Sequence, residues 1–309
     1  MGVEIILKLK RLTLAALITI LGYCLVIFTD IPYISEMRDI WIETAMTTGD
    51  HQWLATMFIP KSVITRVMAE KEEDTNIISV TNIKPDTEAE SENLSDDVDE
   101  FGNKIIVNDI EQGIKIIEIK DITYKGYLTI VKDPSRVIVA HTDEKEVKGK
   151  LILDYLEDYD AILGINANGF LDPDGQGMGG EIIGCSLSNG EEWCNGDKKD
   201  YVTIGLDMND RLVVGYMDDW KKYNLRDAVQ FKPILISEGE IKVEGSAGWG
   251  LHPRTVVGQK ENGDMVFLVV DGRQPGYSLG ITVGEAAKIL HKYGVVNAAA
   301  CDGGSSSVL

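Results

Sequence analysis

The sequence predicts an α+β fold of mixed β-sheets with a few packed helices, preceded by one N-terminal transmembrane helix. Three observations carry that expectation. Residues 12–28 form an apolar run without a charge. From about residue 112 onward, short β-branched and apolar segments of strand length alternate with turn residues. Helical spacing of apolar side chains then returns at 147–159, through Val147, Leu151, Tyr155 and Leu156, and again at 283–293.

The apolar run is just long enough to span a bilayer with some local thinning. A cleaved signal peptide is the competing reading, but Thr29-Asp30-Ile31-Pro32 offers no small-residue cleavage site. Lys8, Lys10 and Arg11 precede the run, and Asp30, Glu36 and Asp39 follow it, which places the amino terminus in the cytoplasm and the rest outside. Short apolar patches at 40–46 and 53–58, the second extended by 63–68, predict juxtamembrane helices. Asp86, Glu88, Glu90, Glu92, Asp96, Asp97, Asp99 and Glu100 then fall in a stretch with almost nothing apolar, which predicts an extended, solvated linker. That stretch lacks the glycine turn and fixed oxygen spacing of a calcium loop. The expected organisation is a cytoplasmic tip and transmembrane anchor at 1–30, helices and linker at 31–111, and one globular domain at 112–309.

Within that domain, 114–119 and 124–131 read as paired strands, with 136–140 as another. Residues 161–165 read as a short buried strand ending in Asn166-Ala167-Asn168-Gly169-Phe170. Residues 201–207 and 211–216 predict a hairpin, as do 255–258 and 265–270. The last helix is expected to be capped by Thr282 and closed by Gly294.

At 309 residues the chain can build a sizeable core. Its formal charge of -20 and pI near 4.6 argue against nucleic acid as a partner, because backbone phosphates require a basic face. An anionic substrate would need local positive charge. Arg254 and Arg273 supply it, in two of three polar clusters near the end of the sequence: His252-Pro253-Arg254-Thr255, Asp271-Gly272-Arg273 and Asp302-Gly303-Gly304-Ser305-Ser306-Ser307. Each borders an apolar run of strand length. Asp-Gly and Gly-Gly most often mean a turn. Two carboxylates and two arginines at the mouths of buried strands nevertheless read as a site.

Pro253-Arg254-Thr255, Val270-Asp271-Gly272-Arg273, Thr282-Val283-Gly284-Glu285 and Asp302-Gly303-Gly304-Ser305-Ser306 resemble, in order and spacing, the motifs of the phosphodiester glycosidase family. The resemblance covers roughly residues 112–309 and implies a hydrolase that cuts between an anomeric carbon and phosphate. It implies a clamp of Arg254 and Arg273, flanked by Thr255 and Gly272, with Asp271 or Asp302 activating water or stabilising an oxocarbenium-like centre. Gly303, Gly304, Ser305 and Ser306 would add N–H and hydroxyl donors. An Asn-Gly-Gly-Phe-like family sequence corresponds to Asn166, Asn168, Gly169 and Phe170, leaving open which asparagine takes its role.

Glu181, at the end of a glycine-dense loop, is a candidate acid or base, with a merely exposed glutamate as the alternative. Glu285 is a further catalytic candidate, rivalled by a cap on the helix dipole. His252, beside Arg254, reads as a turn residue. The family continues past the last motif with further strands, so with the chain ending at Leu309 either the sequence is truncated or those strands are dispensable; missing strands would leave an exposed sheet edge beside the site. The expected partners are an anionic glycan or sugar-phosphate polymer of a cell surface or exopolysaccharide, and the membrane. No cofactor is expected, with a calcium ion on Asp271 or Asp302 left open. A non-catalytic module binding anionic glycopolymers is the alternative function. Cys185 and Cys194, close in sequence and expected outside the cell, leave a disulfide open.

Overall fold

The computed structural model describes residues 2–49, 51–69, 74–84, 97–173 and 177–309. Most of the acidic linker (85–96) and part of the glycine-dense loop (174–176) lie outside the described residues. The chain divides into two compact units, one of residues 1–71 with 248–250 and the other of 72–247 with 251–309.

The first unit is helical. Helix α1 (Gly2–Phe28) is long and apolar enough to cross a membrane over Ile6–Phe28. A helix of that length and composition near the amino terminus fits a single-pass anchor and a signal sequence alike. Pro32 starts α2 (Pro32–Met46), where its fixed φ is already helical and its missing N–H is not needed. Helices α3 (Trp53–Thr56) and α4 (Lys61–Val67) follow. Ile27, Ile42, Ala45, Ala55, Ile59 and Val63 belong to their shared core. The buried Arg38 guanidinium donates to the carbonyls of Ile27 (3.2 Å) and Thr29 (2.9 Å), satisfying acceptors at the end of α1 that have no intrahelical donor.

The second unit packs two antiparallel sheets together. One has the order β1 (Ile78–Val80), β8 (Leu212–Gly215), β7 (Val202–Asp207), β9 (Leu225–Phe231), β5 (Gly184–Ser188), β6 (Glu191–Asn195). The other runs β11 (Glu240–Ile241), β10 (Ile234–Ser237), β14 (Val295–Ala300), β12 (Arg254–Lys260), β13 (Met265–Val270), β4 (Lys125–Val131), β3 (Ile114–Lys120), β2 (Ile105–Asp109). Val202, Ile204 and Val214 of the first sheet share a core with Val257, Phe267 and Ala299 of the second. Helix α6 (Val283–Lys292) buries Val283, Ala286, Ala287 and Leu290 and contacts β10, β12, β13 and β14. β13 is buried at every position, as its unbroken apolar run predicts.

Several expectations are corrected. Residues 137–140 form no strand: the Val139 amide donates to Asp227 and its carbonyl accepts from Ser188, so side chains replace a ladder. Residues 161–165 are also outside any strand, and Leu163 and Ile165 pack on the inter-sheet core from a loop. The helix expected over 147–159 shortens to α5 (Ile152–Asp158), because Lys148 pairs with Gly179 and the Gly149 amide donates to Met178. Globular structure begins before residue 112, since β1 pairs with β8 and β2 with β3. β14 lies inside its sheet, between β10 and β12, so the strand beside the site is not an edge. Cys185 and Cys194 form a disulfide across paired positions of β5 and β6.

Candidate active site

The three clusters meet where β12, β13 and β14 end. In the ladders Arg254 faces Val270 and Val256 faces Ala300, and the Cys301 amide donates to the Thr255 carbonyl. Continuing that register sets Asp302 level with Arg254. Val257, Ala299 and Cys301 point into the inter-sheet core, so alternation puts Arg254 and Asp302 on the opposite face, the one α6 covers.

The glycines follow from how closely these chain segments approach residues 252–253. A Cβ on Gly272 would sit 2.6 Å from the Pro253 nitrogen, and one on Gly303 would sit 2.8 Å from the Pro253 oxygen. Gly280 combines φ +102° with a Cβ position 2.4 Å from the His252 carbonyl carbon. Backbone bonds complete the junction: Gly304 donates to Pro253, and His252 and Ile281 bridge each other. Only residues without a side chain allow this approach.

Two arginines and a histidine gather on this frame. Arg254 is buried, and its Nε donates to the Ile281 carbonyl at 3.3 Å. Burial and the nearby Arg273 charge lower its pKa to about 10, which leaves it a cation at neutral pH. Arg273, at φ +57°, carries its guanidinium to Nδ1 of the buried His252 and over Gly304. Burial, then Arg254 and Arg273, press the His252 pKa down to about 3. The result is a local cluster of positive charge in a chain of net charge -20.

Asp302 is the carboxylate that accompanies them. Burial raises its pKa; the Ser306 hydroxyl, the Gly303 amide at 2.9 Å and the Arg273 charge oppose that rise. Its backbone is fixed from both sides, since its amide donates to Ala167 and its carbonyl accepts from Asn166 Nδ2 at 2.8 Å. Asp271 has different neighbours. Its carbonyl accepts from Ser278, its amide donates to Lys125, and its carboxylate raises the Tyr277 hydroxyl pKa. Lys125 Nζ sits 4.2 Å from the Tyr277 ring centre.

The remaining candidates are distributed as follows. The Asn166 side-chain oxygen accepts from Thr255 Oγ1 at 2.7 Å and from the Val308 amide. Asn168 Nδ2 lies within 3.1–3.2 Å of the carbonyls of Ile183, Cys185 and Gln230. Both amides therefore brace backbone. Gly169 lies against the Phe231 ring. Glu181 is exposed, and its carbonyl accepts from Leu171. The Glu285 carboxylate accepts from the Thr282 amide and hydroxyl, completing a capping box. Ser305 is exposed and Ser306 half-buried in the closing turn.

Sequence reasoning missed the partnership of His252 with Arg273, and with it Tyr277 and Ser278. The alternation around β12 holds the only available signal, because it sets His252 beside the Gly272–Gly280 crossing. Among the described residues, no group of three or more His, Cys, Asp or Glu is placed to hold a metal ion.

Comparison with known proteins bears on this arrangement. Residues 159–309 match the phosphodiester glycosidase family. The SPbeta prophage-derived uncharacterized protein YomE of Bacillus subtilis (strain 168) is 26% identical over a 166-residue alignment that covers 48% of this chain and 24% of that protein. The chain thus spans about a quarter of that relative. The zebrafish N-acetylglucosamine-1-phosphodiester alpha-N-acetylglucosaminidase catalytic domain, auto-inhibited by its pro-peptide, shares the fold. It aligns with TM-score 0.52 and 20% identity over 74% of this chain and 76% of that one. The segment that matches the phosphodiester glycosidase family, residues 159–309, is thus the one that carries the clustered arginines, His252 and Asp302.

Proposed function

We propose that the chain is a membrane-anchored hydrolase that cleaves the bond between a sugar's anomeric carbon and a phosphodiester, acting outside the cell on a sugar-phosphate polymer of the surface or an exopolysaccharide. The observation that carries this reading is the union of Arg254, Arg273, neutral His252 and Asp302 at one strand-end junction. A phosphodiester carries one negative charge spread over two non-bridging oxygens, which suits a guanidinium fork. The phosphate leaving group departs as an anion, so the paired arginines stabilise charge that grows as the bond breaks. It needs little protonation.

Water is then what remains to be managed. Asp302, half-buried beside Arg273, is the carboxylate placed to accept a proton from water or to face the cationic anomeric centre. His252, held neutral, has Nδ1 occupied as an acceptor, so its Nε2–H is a donor without charge. Asp271, bound up with Tyr277 and Ser278, lines the neighbouring mouth, where substrate hydroxyls would lie. α1 supplies the anchor, with the charge bias around it setting the domain outside.

The test is release of free sugar from a sugar-1-phosphodiester by the full chain in detergent micelles. Turnover lost in Asp302→Asn supports the reading. Wild-type protein that binds anionic glycopolymer but releases no sugar refutes it in favour of a binding module.

A further inference from the structure

We propose that the helical unit of residues 32–68 lies on the bilayer surface, with an aromatic face in the headgroup layer beside the outer end of α1. The inference rests on the reading of α1 as a retained membrane span. Tyr33, Met37 and Trp41 recur every fourth residue along α2 and so lie on one face. With Trp53, Met57 and Phe58 they form a set of large side chains that are each more than half exposed. Isolated exposed apolar residues are ordinary, but two indoles, a phenol and a phenyl ring on one unit are not. Aromatic rings with a polar edge are the side chains that favour the layer between hydrocarbon and water.

Depth is fixed by a contact within the unit. Tyr23 Oη donates to the Phe58 carbonyl at 2.8 Å. Tyr23 precedes the last residue of α1 by five positions, which at 1.5 Å per residue is about 7–8 Å along the helix axis. Phe58 therefore sits beside the final turns of the span. Ile27, in the last turn of the same helix, is buried in the unit's core. The small helices thus embrace the outer end of α1, at the level where headgroups begin. Arg38 closes the Ile27 and Thr29 carbonyls inside the protein, so the helix end meets that low-dielectric layer with these acceptors satisfied. The Trp41 indole N–H likewise donates inward, to the Leu54 carbonyl, leaving its ring outward.

The occupant is a lipid interface, and full-length protein in phosphatidylcholine vesicles tests it. Vesicles with bromine high on the acyl chains should quench the wild-type indole fluorescence, and that quenched component should vanish in Trp41→Phe/Trp53→Phe, leaving Trp193, Trp220 and Trp249 as background. Acrylamide in the water should barely reach the two indoles. Indoles open to acrylamide and insensitive to bromine overturn the proposal. So do indoles shielded from both in a chain that cross-links to a second copy. An alkaline carbonate wash separates the two readings: a stripped chain refutes the span and the interface together, whereas a retained chain with unquenched indoles refutes the interface alone.

Discussion

The Arg273 guanidinium donates to Nδ1 of His252, with Nε at 3.3 Å and a terminal nitrogen at 3.2 Å. Arginine has only donors, so the imidazole must present a lone pair there and remain neutral. Its pKa near 3, below the ordinary 6.5, agrees. A group whose folded pKa is depressed contributes stability above its unfolded pKa, lost as pH falls toward the folded value. Wild-type protein should therefore lose roughly 2–3 kcal/mol more than His252→Gln between pH 7 and pH 4. Urea midpoints across that range measure it. Equal losses would show that the histidine is not held neutral.

Asp302 carries the opposite sign. Its folded pKa is raised, chiefly by burial, so its contribution to stability is complete below the unfolded pKa and declines as pH rises through the folded value. At neutral pH the ionised carboxylate costs stability. Asp302→Asn should thus unfold no more easily than wild type while losing about 10²–10⁴-fold in kcat. In wild type, kcat/KM should fall on the acid side with an apparent pKa above the ordinary aspartate value. Asp271→Asn, in the Tyr277 neighbourhood, should change KM more than kcat. The reverse ranking of the two variants would move the chemistry to Asp271.

Arg273 links both groups, since its charge helps depress His252 and opposes the rise at Asp302. Arg273→Gln should raise the His252 pKa in an NMR titration and weaken kcat/KM by on the order of 10²-fold, an arginine fork on an anion being worth about 1.5–3 kcal/mol. Arg273→Lys should keep the histidine depressed but recover only part of the rate. Unchanged histidine titration in the glutamine variant would remove Arg273 from the site's electrostatics.

The strands of the site were legible because β13 is a continuous apolar run and β14 is apolar but for Asn297, patterns that need no ladder partner to be recognised. The same rule failed at 136–140 and 161–165, where the apolar segments are half-buried loops that leave Ile138 and Ile162 exposed. Only three-dimensional neighbours distinguish the cases. β1 escaped notice because three residues carry no period. Arg254, Arg273 and Asp302 were legible as candidates because charges rarely sit at the ends of buried strands without a reason. The asparagines were legible as residues but their backbone partners were not, since an amide that braces three carbonyls has the same sequence signature as one that faces a sugar.

Glu285 separates a structural role from a chemical one. Its carboxylate accepts from Thr282 and stands in the first turn of α6, where the helix dipole favours it. Glu285→Gln preserves the capping geometry and should cost under about 1 kcal/mol, whereas Glu285→Ala should cost about 1 kcal/mol, with kcat nearly unchanged in both. Thermal melts beside turnover measurements check this. Loss of turnover in the glutamine variant at full stability would restore Glu285 to the chemistry.

Gly280 and Gly276 share a loop and a left-handed backbone, at φ +102° and +84°, yet differ in what surrounds them. A Cβ at 276 meets nothing within 4 Å, so Gly276→Ala bears only the conformational penalty, about 1 kcal/mol. A Cβ at 280 would overlap the His252 carbonyl, and that backbone cannot retreat without moving Pro253, which also receives Gly272, Gly303 and Gly304. Gly280→Ala should therefore cost about 3 kcal/mol or more and lower kcat by displacing His252 from Arg273. Paired denaturation curves and histidine titrations test both halves. Equal penalties at the two positions would mean that the crossing of these segments is looser than their packing implies, and that the arginines are positioned by something other than this glycine junction.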